Sequence, residues 1–155
     1  MNSSPLPTRV HTLLIISSDQ ANMRLMTQLI ATRDDVSVLT ACNGSDGLEL
    51  MVSSQPEVVV VDTGLSDICA TLLLKSLRAT SATSHIPVIA VSSDAQLAQI
   101  DAGLQAGFYR YLTKPYRLGD LLDAIDSSLR YSFCKADSFD SCVNVQWAES
   151  KVAQV

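Results

Sequence analysis

The chain has 155 residues, close to the length of one domain, and nothing along it marks a boundary between two cores. Apolar residues make up 47% of it and aromatic ones 5%, which excludes a disordered acidic chain and favours an aliphatic core of helices on a sheet. Eleven Lys and Arg against sixteen Asp and Glu leave a net charge of −5, which argues against a surface that neutralises the phosphates of nucleic acid or anionic lipid.

Residues 1–8, with two prolines and two serines, read as a disordered leader, and ordered structure is expected from Arg9. Thr12–Ile16 is a short apolar run of the kind buried on both faces of a parallel sheet. From Asn22 to Ala31, Met23, Leu25, Met26, Leu29 and Ile30 fall on one helical face, with Asp19 available as N-cap. Val36–Ala41 is a second strand. Asn43-Gly44 turns the chain into a second helix, which carries Leu48, Leu50 and Met51 and stops before Pro56. The valine run Val58–Val61 ends at Asp62 and predicts a central strand. A third helix over Thr71–Ala79, a strand over Val88–Val91, a helix over Ala95–Ala106, a strand over Arg110–Leu112 and a helix over Leu118–Leu129 complete five βα units.

That alternation predicts an α/β fold, one doubly wound parallel sheet with helices on both faces, whose functional edge lies at the carboxyl ends of the strands. Beyond Arg130 the period is lost, and 131–155 reads as a loosely ordered tail, docked through Phe133 or Trp147. The tail is shorter than the roughly 50 residues of a small domain, so no DNA-binding output domain is expected in it. Cys42, Cys69, Cys134 and Cys142 show no CxxC pair, which fits reduced thiols in a cytoplasmic protein rather than a zinc site or disulfide framework. No apolar run approaches the roughly 18 residues of a membrane span.

Asp62, Ser92 and Lys114 stand at the ends of strands that should lie side by side. A carboxylate nucleophile beside a hydroxyl and an ammonium, both able to hold phosphate oxygens, is what phosphoryl transfer to an aspartate needs. The turn Ser17–Asn22 has no glycine, which excludes a dinucleotide-binding or Walker A loop. His11 and His85 flank strands rather than sit on a helix face, and read as ordinary boundary residues.

The segments ending at Asp62 (VVVVD), from Pro87 to Ser93 (PVIAVSS) and from Gly107 to Pro115 (GFYRYLTKP) resemble the receiver domain of two-component response regulators, especially the receivers attached to hybrid histidine kinases. The resemblance covers about residues 11–130 of a unit read as 9–130, and implies a flavodoxin-like sheet of strand order 2-1-3-4-5. It implies Asp62 as phosphoacceptor, Ser92 as the phosphate-sensing hydroxyl, Lys114 as the family's lysine, Tyr111 as the aromatic switch, and a cis bond before Pro115. It further implies a non-enzymatic phosphorelay protein. Its partner would be a sensor histidine kinase or downstream signalling protein, met on the face built by the fourth helix, fifth strand and fifth helix.

The chain departs from the family where receivers carry the adjacent acidic residues that bind Mg2+: Ser17 and Ser18 stand there, and Asp19 follows as a helix cap or residual ligand. Ser66 replaces a proline and Cys69-Ala70 an Asp-Gly in the loop flanking Asp62. Clustered carboxylates repel and create demand for a cation, whereas Asp62 beside Lys114 is a neutral pair, so Mg2+ binding is expected to be weak or absent. The alternative reading is a pseudo-receiver that binds a partner in one constant conformation without phosphorylation.

Overall fold

A computed structural model of the protein describes residues 10–93 and 96–137, with side chains described as far as Tyr131. The expected leader, Ala95 and residues 138–155, with Cys142 and Trp147, lie outside the described residues. Five strands and five helices alternate: β1 (His11–Ile16), α1 (Gln20–Ile30), β2 (Val36–Ala41), α2 (Gly44–Ser54), β3 (Val58–Asp62), α3 (Ala70–Ala79), β4 (Val88–Ser92), α4 (Leu97–Ala106), β5 (Arg110–Thr113) and α5 (Leu118–Asp137). All pairings are parallel, and the strand order is β2-β1-β3-β4-β5, as the resemblance implied.

Strand alternation divides the core into two layers. Leu13 and Ile15 of β1, Val58 and Val60 of β3, and Ile89 and Val91 of β4 pack with Met26 and Ile30 of α1 and with Leu121, Ala124, Ile125 and Leu129 of α5. The intervening residues Leu14, Ile16, Val59, Val61, Val88 and Ala90 pack with Met51 of α2, with Leu73, Leu74 and Leu77 of α3, and with Phe108. β1, β3 and β4 are thus apolar on both sides, the condition that a parallel sheet between helix layers imposes.

Local chemistry sets the helix starts. Asp19, in extended conformation, accepts the amides of Ala21 and Asn22, so α1 begins at Gln20, two residues before the start read from periodicity. Asn43 caps α2 through the amide of Asp46, and Asp67 reaches from the β3–α3 loop to the amides of Gly44 and Ser45. Gly44 is needed there, because a Cβ would collide with Ile68. Arg78 of α3, largely removed from water, donates to the carbonyls of Ser84 (3.0 Å), Ile86 (2.7 Å) and Gly107 (3.4 Å), joining α3 to the turn before β4 and to the end of α4.

One correction concerns the C-terminal side. α5 runs to Asp137, so 131–137, expected to be part of a loosely ordered tail, is helical. No glycine or proline interrupts 130–137, and extending an existing helix is far easier than nucleating one. Tyr131 also stacks on Tyr109 at the base of β5, with ring centroids 5.2 Å apart and planes 8° from parallel.

Candidate phosphoacceptor site

Alternation along each strand decides which side chains converge. Asp62 continues the parity of Val58 and Val60, Ser17 that of Leu13 and Ile15, and Lys114 that of Leu112, so all three lie toward the α1 and α5 layer. Ser92 follows Val88 and Ala90, and Tyr111 packs with the same cluster, so these two lie toward the α2, α3 and α4 layer.

Asp62 is the hub, with its carboxylate side chain only 8% exposed. Lys114 Nζ stands 2.9 Å from Asp62 Oδ2, a charge-assisted pair held at the mouth of the crevice. The Lys114 backbone amide donates to the Ser92 carbonyl at 2.7 Å, which anchors the end of β5 to β4, and the Lys114-Pro115 peptide that follows is cis. The Ser17 hydroxyl lies 3.2 Å from the same Oδ2 and accepts the Asp19 amide at 3.1 Å. Asp62 Oδ1 accepts the amide of Gly64 at 2.9 Å. Ser92 is buried at the end of β4, in register with Thr113, while Asp62 is in register with Val91.

Ser18 and Asp19 are turned elsewhere. The Ser18 hydroxyl meets Ser66, accepting its amide at 3.3 Å, and Asp19 Oδ1 is taken by the α1 amides. Asp62 therefore shares its crevice with hydroxyls and amides rather than with a second carboxylate. Among the described residues no group of three or more His, Cys, Asp and Glu could hold a metal ion. A hydroxyl is a neutral and weak ligand for a hard divalent cation, so this donor set does not fit the site that two acidic residues build.

Tyr111, half-buried, lies with its ring over Gly103 of α4 and edge-on to Phe108, ring centroids 6.3 Å apart at 80°. Two further residues reach the site that sequence reasoning did not single out. Asn22, in the first turn of α1, places Nδ2 3.5 Å from Asp62 Oδ2, and the Tyr116 hydroxyl donates to Asn22 Oδ1 at 3.3 Å. Burial, and after it the Asp62 charge, holds the Tyr116 phenol above its usual titration range. The signal available in the sequence was the Asp19 cap, which fixes the first turn of α1 against the strand ends and so aims Asn22 at the crevice.

Comparison with known proteins agrees with this geometry. The family profile described as the response regulator receiver domain matches residues 13–126. The transcriptional regulatory protein AfsQ1 of Streptomyces coelicolor is 32% identical over 112 residues, 72% of this chain and 48% of AfsQ1. The polar-differentiation response regulator DivK of Brucella anthropi is 28% identical over 116 residues, 75% of this chain and 94% of DivK. Histidine kinase P4 of Formosa agariphila is 24% identical over 142 residues, 92% of this chain but 10% of that protein. The chain thus spans about half of AfsQ1, a tenth of the kinase and nearly all of DivK. Among solved structures, a CheY-like response regulator receiver domain protein of Methanospirillum hungatei shares the fold with a TM-score of 0.73 at 24% identity, over 81% of this chain and 98% of that one. With the family profile covering most of the sequence and the fold and strand order of a receiver, this chain belongs to the response regulator receiver domain family of two-component signal transduction.

Proposed function

We propose that Asp62 is the phosphoacceptor of this receiver domain, that Lys114 and Ser92 hold the phosphoryl oxygens, and that Tyr111 transmits the change. The observation that carries this reading is the shielded Asp62 carboxylate at the carboxyl end of β3, paired with Lys114 at 2.9 Å. A carboxylate oxygen attacks phosphorus, the bond from phosphorus to the donor breaks, and the leaving group departs with that electron pair. Lys114 then neutralises charge that has moved from the carboxylate onto the phosphoryl group, and the Ser92 hydroxyl donates to it.

Receiver domains are generally signalling modules rather than enzymes, they interact with histidine kinases and other signalling proteins, and they bind Mg2+ when phosphorylated. For this chain we assign Mg2+ a weak or absent role, since Ser17 and Ser18 supply hydroxyls where an acidic pair would stand and Asp19 is occupied as a cap. Output runs through protein contacts on the face of α4, β5 and α5. Tyr111 packs there on Gly103, and Leu97 and Leu118 stand 78% and 44% exposed. The net charge of −5 disfavours nucleic acid as partner, and no helix of the described residues is long and apolar enough to cross a membrane. We assign the receiver unit to residues 9–130 and its place to the cytoplasm. The constant-conformation adaptor is not favoured by the family membership.

The test titrates Mg2+ at millimolar concentration against the amide NMR signals of residues 17–19 and 62–64, and follows label from acetyl phosphate on Asp62. The unmodified protein should show little shift and slow labelling. Ser17→Glu with Ser18→Asp should bring back Mg2+ binding and raise labelling. A folded restored variant that binds Mg2+ yet leaves Asp62 unlabelled would refute Asp62 as the acceptor. Tyr111→Ala should weaken kinase or partner binding more than Glu49→Ala on α2, and equal effects would count against the α4, β5, α5 face.

A further inference from the structure

We propose that Asn22 and Tyr116 are positioning residues of the Asp62 site: the Tyr116 hydroxyl orients the Asn22 carboxamide so that its N–H group holds Asp62 Oδ2 and leaves Oδ1 as the attacking oxygen. This deepens the reading of Asp62 as phosphoacceptor and rests on it. The contacts form a chain across the crevice, from the β5–α5 segment through α1 to β3, with Tyr116 Oη to Asn22 Oδ1 at 3.3 Å and Asn22 Nδ2 to Asp62 Oδ2 at 3.5 Å. Asn22 and Tyr116 are 94 residues apart in sequence, so the bridge ties the first turn of α1 to the β5–α5 segment, which no backbone ladder joins.

The orientation of the amide follows from charge. With the carboxamide turned over, its carbonyl oxygen would face the carboxylate of Asp62, two acceptors in contact with no proton between them. The NH2 group must therefore face Asp62, which leaves the carbonyl oxygen for the Tyr116 hydroxyl. Because the phenol resists ionisation, it keeps the proton that this bond requires.

Donors are distributed unevenly over the carboxylate. Oδ2 faces Lys114 at 2.9 Å, Ser17 at 3.2 Å and Asn22 at 3.5 Å, the Ser17 proton being shared with the Asp19 carbonyl at 3.3 Å. Among the described residues, Oδ1 accepts a hydrogen bond from the Gly64 amide alone. A carboxylate oxygen offers about two lone-pair directions, so Oδ2 is fully engaged and Oδ1 keeps one direction for an incoming phosphorus. With acetyl phosphate, the Oδ1 lone pair forms the new bond to phosphorus while the bond from phosphorus to the acetyl oxygen breaks and its electron pair leaves with acetate. The non-attacking oxygen stays held by Asn22 and Ser17 while Lys114 turns to the charge on the phosphoryl group.

Two measurements on the full chain test this. The first is the side-chain amide signal of Asn22 by NMR, in the unmodified protein and in Tyr116→Phe and Asp62→Ala. Either substitution should shift that signal and speed its exchange with water, and a signal that responds to neither would overturn the proposal. The second is the initial rate of Asp62 labelling by acetyl phosphate in Asn22→Ala, Tyr116→Phe and the double variant. Each single change should slow labelling about three- to tenfold, the worth of one hydrogen bond, with thermal midpoints confirming that the variants are folded. The double variant should be no slower than Asn22→Ala, because the hydroxyl acts only through the amide. Multiplicative losses would overturn the proposal. If neither the unmodified protein nor the folded Ser17→Glu, Ser18→Asp variant takes label while the Asn22 signal responds as expected, the phosphoacceptor reading fails and the clamp on Asp62 stands.

Discussion

Adding a single methyl group to α4 tests how Tyr111 is seated. A Cβ built on Gly103 would lie 2.5 Å from both Cδ2 and Cε2 of the Tyr111 ring, well inside van der Waals contact, while Phe108 Cδ2 at 3.5 Å would be an ordinary neighbour. In an open helix interior Gly→Ala stabilises by about 1 kcal/mol, through the lower chain entropy that alanine brings to the unfolded state. Against the ring, overpacking of this kind opposes folding by about 1–3 kcal/mol. Gly103→Ala should therefore leave the protein unchanged or up to about 2 kcal/mol less stable when Tyr111 is present. With Tyr111→Ala the obstacle is gone, and the same methyl should stabilise by about 1 kcal/mol. Urea unfolding of the four proteins in the cycle measures the coupling, expected at about 1–3 kcal/mol. If Gly103→Ala stabilises equally with and without the ring, Tyr111 does not occupy the surface of α4, and the argument for that helix as the ring's seat is wrong. If the coupling is found, the Tyr111 signals in the Gly103→Ala protein should also shift, because the ring has to leave its place over α4 to admit the methyl.

Replacing Arg78 with Met should destabilise by about 2–4 kcal/mol in chemical denaturation, since three carbonyls lose a charged donor, and a loss below about 1 kcal/mol would show that water replaces it freely. Asp19→Ala should lower stability by about 1 kcal/mol through the lost cap of α1, and Asp19→Ser should recover most of it; equal losses in the two variants would refute the capping role. The Asp35 carboxyl is held below the usual range by Arg33, and that of Asp67 by the amides of Gly44 and Ser45. Carboxyls depressed in the folded state contribute stability above their unfolded value of about 3.9 that is lost as pH falls through the folded one. Asp67→Asn should therefore flatten the fall of the urea midpoint below about pH 4, and an unchanged acid slope would remove Asp67 from the account.

The alternation of apolar runs and helical periods determines five βα units because both patterns are local: a strand shows its period in five residues and a helix in two turns. Within that frame Asp62 and Lys114 were legible as members of one site, since residues at the carboxyl ends of parallel strands in one sheet share one edge, and the Asp19 cap was legible from its place just before a helical period. The order β2-β1-β3-β4-β5 came from family resemblance, as connection lengths alone allow other windings. The partners of Ser17 and Ser18 were not legible. Their side chains leave the end of β1 in opposite directions, Ser17 to Asp62 and Ser18 to Ser66, a choice made by strand parity and by loop packing. Asn22 looked like one polar position on an amphipathic helix, and Tyr116 like a loop aromatic, until folding brought α1 and the β5–α5 segment together over Asp62. The length of α5 was missed because 131–137 shows no clear apolar period in the sequence, and a helix already formed extends without one. Local pattern determines where elements form and which face each one buries; the contacts that make a site belong to residues far apart in sequence, and only the packed tertiary structure decides them.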